Sequence, residues 1–591
     1  MEVKRTFDLL TQLKEKYSFK QDILSIRTPK GWVKYNVDDY YQISHQLAYG
    51  LLAAGFREGD RVIIITQNRP EWNFLDMALA LAHMISIPVY PTLSEEDYRH
   101  ILNHSGARAV FVGNERIWEM VSPLVKEMTL RPELFTINQI EGEKNWNELL
   151  ELGEQQREKW APVVEENKKN ISPEEVCTII YTSGTTGLPK GVMLKHIGLT
   201  FNAIGHANMQ IRDHRHRMLS FLPLCHIYER SMNYEYQYLG ISIYYAESLR
   251  SIARDMQEAE ADGFCAVPRV MEMMYEKLQS KSKELKGASR WIYEWAFRKA
   301  QKFDYKRKDL LYKIPYAIAD KLVYSKWRAA LGGHELLIVS GGSSIQEKII
   351  RLYTAAKMYI FEGYGMTETS PVIAVNNPKE MLIVIGTVGK QMPGIEMKLA
   401  EDGEILTKGI CLMAGYYNDP DATKQVIDEE GWFHTGDIGK FNEEGYLRIT
   451  DRKKEIFKLS AGKYIAPQML ENRFKECPYI ENIMVIGENE KFASALIVPN
   501  FSRLQEWAQK NNIPFENHVD LVNNMQVKKM LMKEMDVIND KLAPHEQLKR
   551  FHMVPDEWSV ATGELSQTMK LKRRVILKKY EKEIKEIYLH E

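Results

Sequence analysis

Residues 176–191 read VCTIIYTSGTTGLPKG, and the stretch changes character halfway along. Val176 to Tyr181 is a short apolar, β-branched run of the kind that forms a buried strand. It passes directly into Thr182, Ser183, Gly184, Thr185, Thr186, Gly187, Leu188, Pro189, Lys190 and Gly191. Glycines let a backbone turn sharply and approach a ligand closely. Hydroxyls and main-chain amides in such a turn form an anion nest, to which Lys190 adds a full positive charge. The chemistry is that of a polyphosphate cradle. It is not a Walker loop, because Pro189 stands where the glycine before the lysine belongs and Gly191 where Ser or Thr would hold magnesium. A surface turn that happens to be rich in Gly and Thr is the plainer alternative.

Working outward, Arg61 to Ile65 and Ala109 to Val112 are further apolar β-branched runs, and Trp72 to Ala82 between them has helical spacing. The pattern returns at Leu336 to Ser340 and Lys357 to Phe361. Strands alternating with helices predict an α/β fold with parallel-type sheets. From about Asp451 the texture shifts to charged helices and short strands, Ile483 to Ile486 and Ala495 to Val498. The expectation is therefore a large domain over 1–450 and a smaller α+β domain over 451–591. The charged run Asp451 to Glu455 has the composition of an exposed junction. A helical insert is expected over 271–330, rich in Lys, Arg and aromatic residues. Its composition suits the surface of a membrane, and a packed helical face is the alternative.

The chain has 591 residues, more than one compact core usually holds. Its 79 basic and 80 acidic residues nearly cancel, which excludes a globally basic nucleic-acid binder. The five cysteines are scattered, without the close pairs of a zinc or redox motif. Charges among the first residues argue against a secretory signal. The most apolar stretch, Met77 to Val89, falls short of the roughly 20 residues that span a bilayer. A cytoplasmic protein is expected, at most peripheral to the inner face of a membrane; oligomeric state is open. There is no Gly-x-Ser-x-Gly elbow and no His-Glu-x-x-His helix.

Several further segments carry chemistry. Gly363, Tyr364, Gly365, Met366, Thr367, Glu368 and Thr369 follow a strand and combine a flat ring, a hydroxyl and a hard carboxylate oxygen. Thr435-Gly436-Asp437 sets a carboxylate on a tight turn. Phe221 to Arg230 includes His226, a residue that in an apolar segment is as readily a satisfied core histidine as a site residue. Ser340-Gly341-Gly342-Ser343 is a small-residue turn. Leu565 to Arg574 is basic and holds Lys570.

Taken in this order, the segments resemble the AMP-forming, adenylate-forming superfamily, and within it the long-chain fatty acyl-CoA synthetase branch. The resemblance covers nearly the whole chain. It implies that Thr182 to Gly187 and Lys190 cradle the phosphates, and that Gly341, Gly363, Tyr364 and Gly365 surround adenine. Asp437 would take the ribose hydroxyls, with Arg452 reaching ribose or phosphate. Glu368, with Thr182 as a second candidate, would hold Mg2+, and Thr367 would offer its hydroxyl. His226 would lie on the acyl side, in a segment whose Glu229-Arg230 matches the long-chain branch. Asp451 would be a hinge. Gly462 would let the CoA arm pass beside Lys463. Lys570 would bridge the carboxylate and the α-phosphate, leaving Lys572, Arg573 and Arg574 as supporting charge or contacts to the CoA phosphate. The implied partners are fatty acid, ATP and CoA, with no nucleic acid. Delivery to a carrier-protein arm, or activation of medium-chain or aryl acids, remains open at this stage.

Overall fold

The computed structural model describes residues 2–182, 188–304, 307, 309–566 and 569–589. Arg61–Ile65 is apolar at successive positions because both faces of its sheet are covered. Val62 and Ile64 enter one core with Phe111 and Ile180, while Ile63 and Ile65 enter another with Val110, Val112 and Ile179. A strand buried on both sides loses the alternation of a half-exposed one. Its parallel neighbours are Ile85–Val89 and Ala109–Val112. Ile85–Val89 is absent from the sequence reading, because it follows helix Pro70–Leu81 so closely that the two merge into one apolar stretch.

Among the described residues this sheet has seven strands. From one edge they are Gly415–Tyr416, Lys190–Lys195, Val176–Thr182, Ile85–Val89, Arg61–Ile65, Ala109–Val112 and Glu133–Thr136. A second sheet has nine strands, with Met358–Gly365, Leu336–Ser340, Gly263–Ala266, Arg217–Ser220, Ser242–Tyr245 and Leu24–Thr28 parallel through its middle. Antiparallel strands close its edges.

Helix Ile227–Leu239 stitches the two sheets together. The Arg230 guanidinium, 2 % exposed, pairs with Asp76 at 2.5 Å and donates to Thr178 Oγ1 and Ser86 Oγ of the seven-stranded sheet. Tyr228 Oη donates to the Val339 carbonyl of the nine-stranded sheet. In the helical insert, Tyr293, Phe297, Tyr324 and Trp327 are buried with their rings in contact, and buried Tyr316 meets the Phe303 and Tyr312 rings. These aromatic rings build a packed face.

The chain divides into two compact units, 1–397 with 407–433 and 398–406 with 434–591. This partition falls earlier than the 450/451 boundary expected from texture. Strand Phe433–Phe441 pairs along Leu447–Arg452, so Asp437 travels with the second unit. Nor is the charged run an exposed junction throughout: Asp451 is 1 % exposed and lies within strand Leu447–Arg452. The second unit has its own core, in which Leu470 and Phe474 of helix Pro467–Phe474 meet Ile483 and Leu496 of a three-stranded sheet.

Candidate functional site

In the first unit, Val176–Thr182 and Lys190–Lys195 form an antiparallel hairpin in register from Thr182↔Lys190. The cradle residues Ser183, Gly184, Thr185, Thr186 and Gly187, at its connection, lie outside the described residues. Its flanks are braced from helix Glu95–Ser105. His100 Nε2 is 2.9 Å from the Pro189 carbonyl, and His104 Nδ1 is 2.8 Å from Tyr181 Oη. Gly191 serves packing: a Cβ there would meet Ile179 Cγ2 at 2.8 Å and Tyr417 Cβ at 3.3 Å.

Lys190 and Glu368 come together through a residue the motifs did not mark. Lys190 Nζ lies 5.0 Å from the Tyr416 ring centroid and 3.8 Å from Asp419 Oδ2. Tyr416 Oη donates to Glu368 Oε1 at 2.9 Å. Burial, then the Glu368 carboxylate, push the Tyr416 phenol up, so it stays a donor at neutral pH. Tyr416 gets there because Gly415–Tyr416 adds to the hairpin's edge. A carboxylate oxygen in the neighbourhood of a lysine fits a hard cation next to phosphate, Glu368 ligating the cation and Lys190 meeting the anion.

Gly365 and Gly363 differ in role. A Cβ on Gly365 would lie 1.9 Å from the Pro371 carbonyl oxygen, whereas on Gly363 the nearest atom is 3.5 Å away. Tyr364 and Thr367 are buried. Asn202 holds the segment behind them, accepting from Val372 N at 2.9 Å. Ser340 and Glu362 are neighbours at the carboxyl ends of parallel strands, so the Gly341 and Gly363 turns adjoin. Ligands of open α/β sheets bind at such ends. Ser340 Oγ is buried there without a hydrogen-bond partner. His226 caps helix Ile227–Leu239, its Nδ1 accepting from Tyr228 N at 3.1 Å, so the neutral ring carries its proton on Nε2. The matched pair Glu229-Arg230 is buried. Arg230 spends its charge in the core, and burial lifts the Glu229 carboxyl to about 8.

In the second unit the structure brings Asp437, Arg452 and Lys570 together. Asp437 faces Arg452 across the hairpin, and Arg452 Nε lies 3.1 Å from Asp437 Oδ1. Glu404, unmarked by any motif, shapes the preceding turn: it accepts from Gly436 N at 2.9 Å and pairs with Lys453 at 2.7 Å. The Lys570 amide donates to Ser566 Oγ at 3.0 Å. Desolvation, then the Arg452 guanidinium, pull its ammonium down to about 8, against Asp437 and Glu455. Arg573 is no supporting surface charge; it pairs with Glu471 at 2.5 Å and Glu455 at 3.1 Å, anchoring the segment that carries Lys570. Lys572 and Arg574 are exposed.

Asp451 Oδ1 accepts from Arg452 N at 2.7 Å and Oδ2 from Gln468 N at 3.1 Å, fixing the strand end to helix Pro467–Phe474. Gly462 (φ +80°) and Lys463 occupy an exposed hairpin tip, where glycine is required by the left-handed backbone.

Residues 15–417 match the profile of the AMP-binding enzyme family, and 454–591 that of the AMP-binding enzyme C-terminal domain. The chain belongs to the AMP-binding enzyme family and is an adenylate-forming, acyl-activating ligase. It is 32% identical over 555 residues to the long-chain-fatty-acid–CoA ligase FadD15 of Mycobacterium bovis, covering 92% of this chain and 90% of that one. It is 30% identical over 599 residues to long chain acyl-CoA synthetase 4 of Arabidopsis thaliana, covering 95% and 87%. The adenylation domain of the carboxylate reductase from Mycobacterium chelonae shares the fold, with a TM-score of 0.77, 20% identity and coverage of 99% and 91%. The anthranilate CoA ligase AuaEII, in complex with anthranoyl-AMP, does so with a TM-score of 0.72, 17% identity and coverage of 98% of each chain.

Proposed function

We propose that this enzyme activates a long-chain fatty acid with ATP and transfers the acyl group to CoA. The observation that carries the reading is the similarity, over most of both chains, to ligases named for long-chain fatty acids. In the first step a carboxylate oxygen attacks the α-phosphorus of ATP and the bond to the β-phosphate breaks, leaving acyl-AMP and pyrophosphate. In the second, the CoA sulfur attacks the acyl carbonyl and AMP departs.

The residue roles belong to the same proposal. Thr182 to Gly187 and Lys190 hold the phosphates, and Tyr364 with Gly341, Gly363 and Gly365 receives adenine. Asp437 takes the ribose hydroxyls, and its pairing with Arg452 fixes the carboxylate for that task. Glu368, with Thr182 as a second candidate, would hold Mg2+, which would offset phosphate charge, and Thr367 offers its hydroxyl. Lys570 neutralises the charge that grows on the α-phosphate. His226 borders the acyl chain, Gly462 and Lys463 pass the CoA arm, and the chain swings at Asp451 between steps.

The test is pyrophosphate release against a panel of fatty and aryl acids, with and without CoA. Preference for long acyl chains, with acyl-CoA as the product, is expected. Turnover of aryl acids alone, or acyl transfer only to a carrier protein, would overturn the reading.

A further inference from the structure

Helix Leu310–Ala319 continues through the π-helical turn Asp320–Tyr324 into Ser325–Ala329. Its inner side buries Tyr316, Ala319, Val323, Tyr324 and Trp327. Its outer side carries Leu310 (76 % exposed), Leu311 (86 %), Ile314 (53 %), Ile318 (48 %) and Leu322 (41 %). Residues 310, 314, 318 and 322 recur at the spacing that places side chains in one row along a helix. Single exposed leucines are ordinary, but a continuous apolar row marks an interaction surface.

Charge indicates what covers it. Lys313, Lys321 and Lys326 are exposed along the same run and form no ion pair among the described residues. Asp320 is the sole acidic residue between 310 and 329, and Arg328 holds it at 2.6 Å. The row is thus flanked by uncompensated positive charge. A second copy seated symmetrically on this row would set lysines against lysines. Among the described residues no helix is long and apolar enough to cross a membrane. Apolar residues beside lysines on one helix face are the composition of a segment that lies in a bilayer interface.

We propose that the outer face of residues 310–326 docks on an anionic lipid bilayer, with the Leu/Ile row at the acyl boundary and the lysines at the headgroups. The docking does not depend on which acid the enzyme activates. It also moves the membrane surface away from the insert's buried aromatic rings, onto its aliphatic residues.

The test is co-sedimentation of the full chain with phosphatidylcholine vesicles, with and without phosphatidylglycerol. Binding to the anionic vesicles is expected, weakening as salt is raised. Leu311→Glu with Ile318→Glu should lower partitioning at least about tenfold. Lys313→Ala with Lys321→Ala should lower it roughly thirtyfold on anionic vesicles and leave neutral ones unchanged. Thermal melts of both variants should match the parent. If the Glu pair melts early, the lysine pair alone decides. Equal binding to neutral and anionic vesicles, or lysine variants that bind like the parent, would overturn the proposal. So would a dimer in sedimentation that Leu311→Glu with Ile318→Glu dissociates, since that makes a second copy the occupant.

Discussion

Burial of the Lys570 ammonium, then a guanidinium that repels it, outweigh two carboxylates that hold it, and leave it near 8. It is therefore mostly charged at neutral pH and loses its charge as pH rises through 8. In the proposed mechanism, pyrophosphate exchange should fall over that range. Lys570→Ala should lower exchange by about a hundredfold or more while supplied acyl-AMP and CoA still give thioester. Equal loss of both steps would contradict the assignment. Asp451 offers a second titration. Burial raises its carboxyl from 3.8 to about 6, so the folded chain holds this proton more tightly than the unfolded one. Its stabilising contribution is fully present below pH 4 and lost as pH rises through 6. Above pH 6, Asp451→Asn should stand higher in unfolding free energy relative to the parent than it does below pH 4, by up to about 3 kcal/mol, read by denaturant titration at the two pH values. Lys570 is visible in the sequence only as one lysine of a basic run, singled out by resemblance. Its neighbours Arg452 and Asp437 are tertiary facts. Glu404 and Tyr416 are harder still, because an isolated carboxylate or phenol in a loop has no spacing to betray its partner.

Elements explain why other positions tolerate little change. Strand Met358–Gly365 must let the Pro371 carbonyl approach Gly365, so Gly365→Ala forces backbone apart, while Gly363→Ala meets only ordinary contacts. Gly365→Ala should lower stability by about 2 kcal/mol or more, and Gly363→Ala by less than about 1 kcal/mol, as measured by thermal unfolding. Helix Ile227–Leu239 depends in the same way on Arg230. Arg230→Met leaves the buried Asp76 carboxylate without its cation, though Tyr234 Oη still donates to it, which should cost about 3–5 kcal/mol; adding Asp76→Leu should recover much of it. Failure of the second change to restore stability would mean that the guanidinium's bonds to Thr178 and Ser86 carry the helix instead. The strands of this region are readable because burial on both faces leaves unbroken apolar runs. The same continuity hides the seam between helix Pro70–Leu81 and strand Ile85–Val89. The Glu229-Arg230 pair shows the opposite limit: its motif position is visible, but whether its charge faces a ligand or the core depends on Asp76, far away in sequence.

At the scale of the molecule, the second unit's apolar core shares no residue with the two cores that flank the first unit's seven-stranded sheet: Phe433 is the last buried member on the first unit's side, and Leu459 the first on the second's. Texture alone marks a change near 451, but the hairpin Phe433–Arg452 crosses that point and moves the boundary upstream. Separate cores imply separate cooperativity, since stability follows the contacts each unit makes within itself. Calorimetry of the full chain should therefore resolve two heat-absorption peaks. The proposed roles assign nucleotide contacts to both units, Tyr364 in the first and Asp437 in the second. A saturating non-hydrolysable ATP analogue should raise the lower of the two transitions by about 2.7 kcal/mol of stabilisation at a hundredfold excess over Kd, because the nucleotide leaves once either set of contacts is lost. Asp437→Ala should abolish that shift. If the shift survives Asp437→Ala, Asp437 does not hold the ribose. Its pairing with Arg452 would then serve only to lock the hairpin on which the second unit begins.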